Sequence, residues 1–133
     1  MVPEIPAADD VTALWWEATK ERRLLVQRCG HCGAAQHPPR ALCTGCGRMD
    51  GLTWVEATGR GTVDTWTAVY RAPRPGVDVP YVIARVALEE GPILLTRLVG
   101  GDPESWQIGE TVEVDWWPAA DGRALPVFRR PSA

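Results

Sequence analysis

Only one of the fourteen basic side chains in this 133-residue sequence is a lysine, no cysteine lies outside residues 29–47, and no apolar run approaches the length needed to cross a bilayer. The first ten residues, MVPEIPAADD, lack the basic start and apolar stretch of a secretory leader, so a cytoplasmic protein without membrane association is expected. No Gly-x-Ser-x-Gly elbow and no glycine-rich phosphate loop occurs, which removes the usual marks of a hydrolase or a nucleotide-binding enzyme. There is also no internal repeat or low-complexity linker. A chain of this length suits one modest domain or two very small units that need a staple. At 45% hydrophobic and 23% charged residues it reads as globular, and thirteen glycines with twelve prolines imply many turns and exclude an all-helical bundle. The formal charge is −3, and the acidity lies in residues 49–133, which hold eight basic and twelve acidic side chains.

The cysteines that are present form two copies of Cys-x-x-Cys-Gly, at Cys29, Cys32 and Gly33 and at Cys43, Cys46 and Gly47. Two intervening residues let a tight turn aim both sulfurs at one ion, and the following glycine supplies the left-handed backbone that turns an amide toward a thiolate. In a reducing compartment such pairs read as metal ligands rather than disulfides. One structural zinc per chain on Cys29, Cys32, Cys43 and Cys46 is the expectation. Four thiolates leave no open position for water or substrate, so the site closes the fold and performs no catalysis. Iron in the same tetrahedral sulfur set is the competing metal. His31 and His37 are spare ligands that the four cysteines make unnecessary, and both are expected at the surface. With every thiol engaged, no cysteine remains as a nucleophile.

Ahead of this cluster, DDVTALWWEATKERRLL places Leu14, Trp15 and Ala18 at helical spacing behind the possible caps Asp9, Asp10 and Thr12, which predicts a short amphipathic helix. Trp15 and Trp16 are adjacent and cannot face the same way, so they need cover from more than one side. After the cluster the period changes to two. TWVEATGRGTVDTWTAVYR, PYVIARVALEEGPILLTRLVG, GETVEVDWW and ALPVFRR give about five strands with turns between them, the number of a small Greek-key barrel of the OB type. The predicted fold is therefore mainly β, with a helical segment at 1–26, a zinc ribbon at 27–51 and an OB-fold domain at 52–133.

This order of parts resembles a family of zinc-ribbon and OB-fold proteins associated with acyl-CoA metabolism, known as the domain of unknown function 35 family. The resemblance is carried by LLVQRCGHCG with HPPR following, CTGCG, GRGTVDTWTAVYR, PYVIARVALEEG, IGETVEV and the closing PVFR. It spans nearly the whole chain and implies a rubredoxin-like zinc ribbon. It also implies an accessory subunit of a thiolase-like or lipid-transfer-protein-like enzyme, the latter an aldolase that shortens steroid side chains. An acyl-CoA hydratase is a further implied partner and acyl-CoA the implied ligand, with catalysis in the partner.

Three other features bear on this expectation. A single-stranded nucleic-acid-binding role is the alternative, with Trp54, Trp66 and Tyr70 as stacking platforms, but the acidic barrel half opposes a phosphate backbone. Glu89 and Glu90 are a possible acid-base pair, yet adjacent strand residues point to opposite faces, so a solvated hairpin tip is expected. Arginine forks two hydrogen bonds onto one phosphate, which makes Arg60, Arg71, Arg85 and Arg97 the candidates to meet acyl-CoA. A small barrel has little interior for seven tryptophans, so Trp15, Trp16, Trp116 and Trp117 are expected at a partner interface.

Overall fold

In the computed structural model, which describes residues 2–132, helix α1 (Ala13–Lys20) leads into an antiparallel sheet of β1 (Leu25–Cys29), β2 (Ala35–Gln36) and β3 (Leu52–Glu56) in the order β2-β1-β3. A closed barrel follows, built from β4 (Arg60–Val69), β5 (Tyr81–Leu88), β6 (Ile93–Leu98), β7 (Thr111–Pro118) and β8 (Ala124–Arg129) in the order β4-β5-β6-β8-β7.

Local chemistry sets both ends of the helix. The Asp9 carboxylate accepts from the Val11 and Thr12 amides at 3.0 and 2.9 Å, and the Thr12 hydroxyl accepts from the Asp9 amide at 3.1 Å. These bonds, led by those from Thr12, hold the Asp9 carboxyl below its usual range. At the other end Arg22 takes φ 58°, so the Arg23 amide reaches the Ala18 carbonyl at 3.0 Å and the Arg22 amide reaches Thr19 at 3.0 Å. That pair of bonds is a Schellman stop made without glycine.

The barrel follows from alternation. Along β5, Val82, Ala84, Val86 and Leu88 point inward, where they meet Val63, Leu94, Val112 and the fully buried Phe128. β4 pairs with β5 from Gly61 to Val69, with a register shift between Val63 and Thr65 that bends it, and its first residues Arg60, Gly61 and Thr62 also pair with β7 on the other side. Closure between β6 and β8 is a single parallel step, Leu98 to Phe128. The Thr96 hydroxyl finishes that seam by donating to the Pro126 carbonyl at 2.8 Å, and the buried Thr19 hydroxyl ties α1 to β8 by accepting from the Ala124 amide at 3.2 Å. Pro126 itself brings no amide that would need a partner.

The segment 52–56, expected as the first barrel strand, is instead the third strand of the ribbon sheet, paired along its whole length with β1. Its alternating TWVE pattern suits either sheet, and only long-range pairing assigns it. The change of sheet falls at residues 57–59. There the Thr58 amide donates to Glu90 at 3.0 Å, and its hydroxyl to Glu89 at 2.9 Å. Arg60 adds an ion pair to Glu89 at 2.9 Å, so the β5–β6 hairpin tip is a clasp on the link between ribbon and barrel.

Candidate functional site

The two knuckles are near copies of each other. Gly33 and Gly47, at φ 78° and 80°, donate to the Cys29 and Cys43 carbonyls at 2.8 Å, while the Cys29 and Cys43 amides bond the Ala34 and Arg48 carbonyls at 2.9 Å. This brings all four sulfurs within 4.8 Å of one another, with Cys29 to Cys46 at 3.8 Å and Cys32 to Cys43 at 3.5 Å. A tetrahedral ion with metal–sulfur bonds of about 2.3 Å places its ligands about 3.8 Å apart, so the four residues fit a zinc ion.

Electrostatics supports a cation here. The Cys46 amide, followed by that of Gly45, favours the Cys43 thiolate and brings its pKa down to about 7. Cys46 goes the other way, to about 11: the Arg48 amide favours its thiolate, but desolvation and the neighbouring sulfurs outweigh it. Four crowded thiols cannot all ionise without positive charge among them, which a divalent ion supplies.

A second set of residues holds the cluster, and it is not legible from the cysteine spacing. Gln27 and Gln36 are buried, and Gln36 donates to Gln27 at 2.8 Å. Gln27 exchanges hydrogen bonds with the backbone of Arg40 at 2.9 and 2.8 Å, and Gln36 bonds the Leu42 carbonyl at 3.0 Å and the Thr44 amide at 2.9 Å. The two amides therefore suspend the loop that presents Cys43. The only sequence signal was a glutamine at an inward position of β1, next to Val26.

The expected interface tryptophans divide. Trp15 and Trp16 are 6% and 7% exposed, packed edge to face at 4.7 Å, with the Trp15 indole donating to the Leu25 carbonyl at 3.0 Å. They bind α1 to the ribbon and barrel within this chain and present little surface to another, which corrects the expectation that they anchor a partner. Trp116 and Trp117 are half-buried on β7.

The arginines divide too. Arg60 pairs with Glu89, and Arg85 lies 3.7 Å from Asp64. Arg71 is exposed on the β4–β5 loop. Arg97 lies over the rings of Tyr81 and Trp117, 4.1 and 4.7 Å from their centroids. His31 is exposed and bonds Asp50 at 3.1 Å, as expected of a surface residue. His37 is half-buried rather than a free surface residue. Burial pushes its pKa down to about 4, and its ring packs 5.5 Å from Trp15 beside a chamber of about 420 Å³ between α1 and the β6–β8 seam.

Comparison with known proteins places these parts. Residues 16–50 match the model of the ChsH2 rubredoxin-like zinc ribbon domain, and residues 54–116 match that of the ChsH2 C-terminal OB-fold domain. A solved structure titled "Ltp2-ChsH2(DUF35) aldolase" superposes with a TM-score of 0.84 at 43% identity, covering 95% of this chain and 98% of that one. A DUF35 domain-containing scaffold protein of Methanocaldococcus jannaschii is 36% identical over 107 residues, which is 79% of this chain and 76% of the relative. A probable enoyl-CoA hydratase alpha subunit of Thermomonospora curvata is 44% identical over 124 residues, covering 93% of this chain but only 39% of the relative's length. Among the described residues, no helix is long and apolar enough to cross a membrane.

Proposed function

We propose that this chain, which belongs to the ChsH2 (DUF35) family of zinc-ribbon and OB-fold proteins, is a non-catalytic accessory subunit that docks on a thiolase-superfamily acyl-CoA enzyme and supports its assembly and activity. The observation that carries this reading is the 43% identity across 98% of the neighbour whose title names an Ltp2-ChsH2 aldolase. Among the enzymes that the resemblance offers, a lipid-transfer-protein-like aldolase is therefore the favoured partner.

The site chemistry supports the same reading. All four thiols sit in one closed cluster, and Glu89 and Glu90, the one carboxylate pair suggested by the sequence, are occupied in clasping Thr58. A rigid body remains, whose two sheets are tied by the clasp and by α1, and rigidity lowers the ordering cost of association. With Trp15 and Trp16 buried, the docking face we favour is the outer wall of β4, β5 and β6. Leu95 is 76% exposed there and shares a shallow cleft with Trp66 and Ile83. For contact with the phosphates of acyl-CoA we favour Arg71 and Arg97, since Arg60 and Arg85 each have a carboxylate nearby.

Co-expression with a lipid-transfer-protein-like thiolase homologue, followed by mass measurement and an aldol-cleavage assay with and without this chain, tests the proposal. A stable complex whose activity depends on this chain is expected, with complex formation lost in Leu95→Arg. Turnover by this chain alone would overturn the non-catalytic assignment. Normal co-purification of Leu95→Arg would move the interface elsewhere.

A further inference from the structure

We infer that the chamber between α1, the His37-Pro38-Pro39 turn and the β6–β8 seam binds a small amphiphilic anion, with its oxyanion on Arg97 and its apolar body against Trp15, Trp16 and Leu125. The chamber has a volume of about 420 Å³, within the range of small-molecule sites, and its wall is mainly aromatic and aliphatic. It is built wholly from this chain, so the inference does not depend on docking, although it uses the same Arg97 that is favoured above for an acyl-CoA phosphate.

Arg97 is the first reason to place an anion here. Tyr81 and Trp117 hold the guanidinium by their ring faces, an arrangement that fixes a cation while its hydrogens, which lie in the guanidinium plane, stay available. Among the described residues Arg97 has neither a carboxylate within ion-pair distance nor a hydrogen-bond acceptor. A half-buried guanidinium with no acceptor is incomplete, and a carboxylate or phosphate completes it with two parallel bonds. Arg97 also stands where the chamber meets two smaller clefts of about 240 and 300 Å³, so a ligand can reach its hydrogens.

His37 is the second reason. Its Nδ1 is buried and has no hydrogen-bond partner, a costly arrangement unless something else supplies one. Burial holds the ring neutral, so it offers one donor and one acceptor to an uncharged polar group rather than a second positive charge. The chamber thus has a cation at its edge, the neutral His37 ring in its wall and apolar walls between. Asp9 also lines the space, but its carboxylate is bonded to the Val11 and Thr12 amides.

The test titrates the zinc-loaded chain with decanoate, decyl phosphate and the uncharged decanol, following tryptophan emission and the ring resonances of His37. Both anions should bind more tightly than decanol and shift the His37 signals, and the tighter of the two identifies carboxylate or phosphate as the preferred head. Arg97→Met should weaken both anions about tenfold or more while leaving decanol unchanged. Leu125→Trp, which fills the chamber, should abolish all three; should that variant fail to fold, Arg97→Met alone decides. Equal binding of decanoate and decanol, an unchanged anion affinity in Arg97→Met, or His37 signals that do not move would each overturn the inference.

Discussion

The ribbon sheet and the barrel are both small antiparallel structures, yet they are specified by different forces. In the barrel the buried side chains are hydrocarbon: Val63, Val86, Leu94, Val112 and Phe128 are all almost fully buried, and among the described residues no polar or charged side chain of β4–β8 is buried. In the ribbon, Gln27 and Gln36 are buried beside Val26 together with Cys29 and Cys43, while Cys32 and Cys46 close the sulfur cluster from the exposed side. Apolar packing is non-directional and tolerates exchange of similar volumes, whereas thiolate–metal bonds and amide hydrogen bonds require particular atoms at particular angles. The ribbon is too thin to fold on burial alone, and directional bonds replace the area it does not have.

The largest test of that contrast is metal removal. Cys43→Ser, or a strong chelator, should strip the ribbon of structure, since a structural zinc contributes apparent folding free energy on the order of 10 kcal/mol. Hydrogen exchange should then rise across residues 25–56 and stay slow in β4–β8. Loss of protection in both sheets together would mean that the barrel depends on the ribbon. Phe128→Ala probes the opposite side, and a fully buried aromatic should cost about 3–5 kcal/mol in chemical denaturation while zinc content stays at one per chain.

Between the two regions lies His37. Its pKa in the folded chain is about 4, below the ordinary 6.5, so protons bind the unfolded chain first. Its effect on stability is constant above pH 6.5. As pH falls from 6.5 toward 4 stability drops, by up to about 3 kcal/mol. His37→Phe should flatten that part of the stability–pH curve, and a curve identical to wild type would show that the ring is not buried in solution. Gln36→Leu should cost about 1–3 kcal/mol because Gln27 and the Thr44 amide lose partners, and it should speed zinc exchange without changing zinc stoichiometry. The smallest effect belongs to the clasp's ion pair. Glu89→Gln keeps most of its shape and should leave the chemical-denaturation midpoint nearly unchanged at moderate salt, because the Arg60–Glu89 pair is exposed and screened.

The contrast also explains which parts of the molecule were legible in advance. The gathering of the four cysteines, the left-handed Gly33 and Gly47, and the inward positions of β5 depend on spacings of two or three residues, and such local geometry is written along the chain. The same holds for the helix, whose apolar spacing and Asp9 turn are local. Other properties rest on partners tens of residues away. β3 joins β1 rather than the barrel, Trp15 and Trp16 are covered by this chain rather than another, and Glu89 and Glu90 reach Thr58. Four arginines of identical chemistry differ because Glu89 meets Arg60, Asp64 approaches Arg85, two aromatic rings hold Arg97, and Arg71 stays in solvent. Residue type and short-range spacing thus settled what each segment is able to do. Which of those capacities is used was settled by the folded contacts, because burial and charge pairing are properties of neighbours in space.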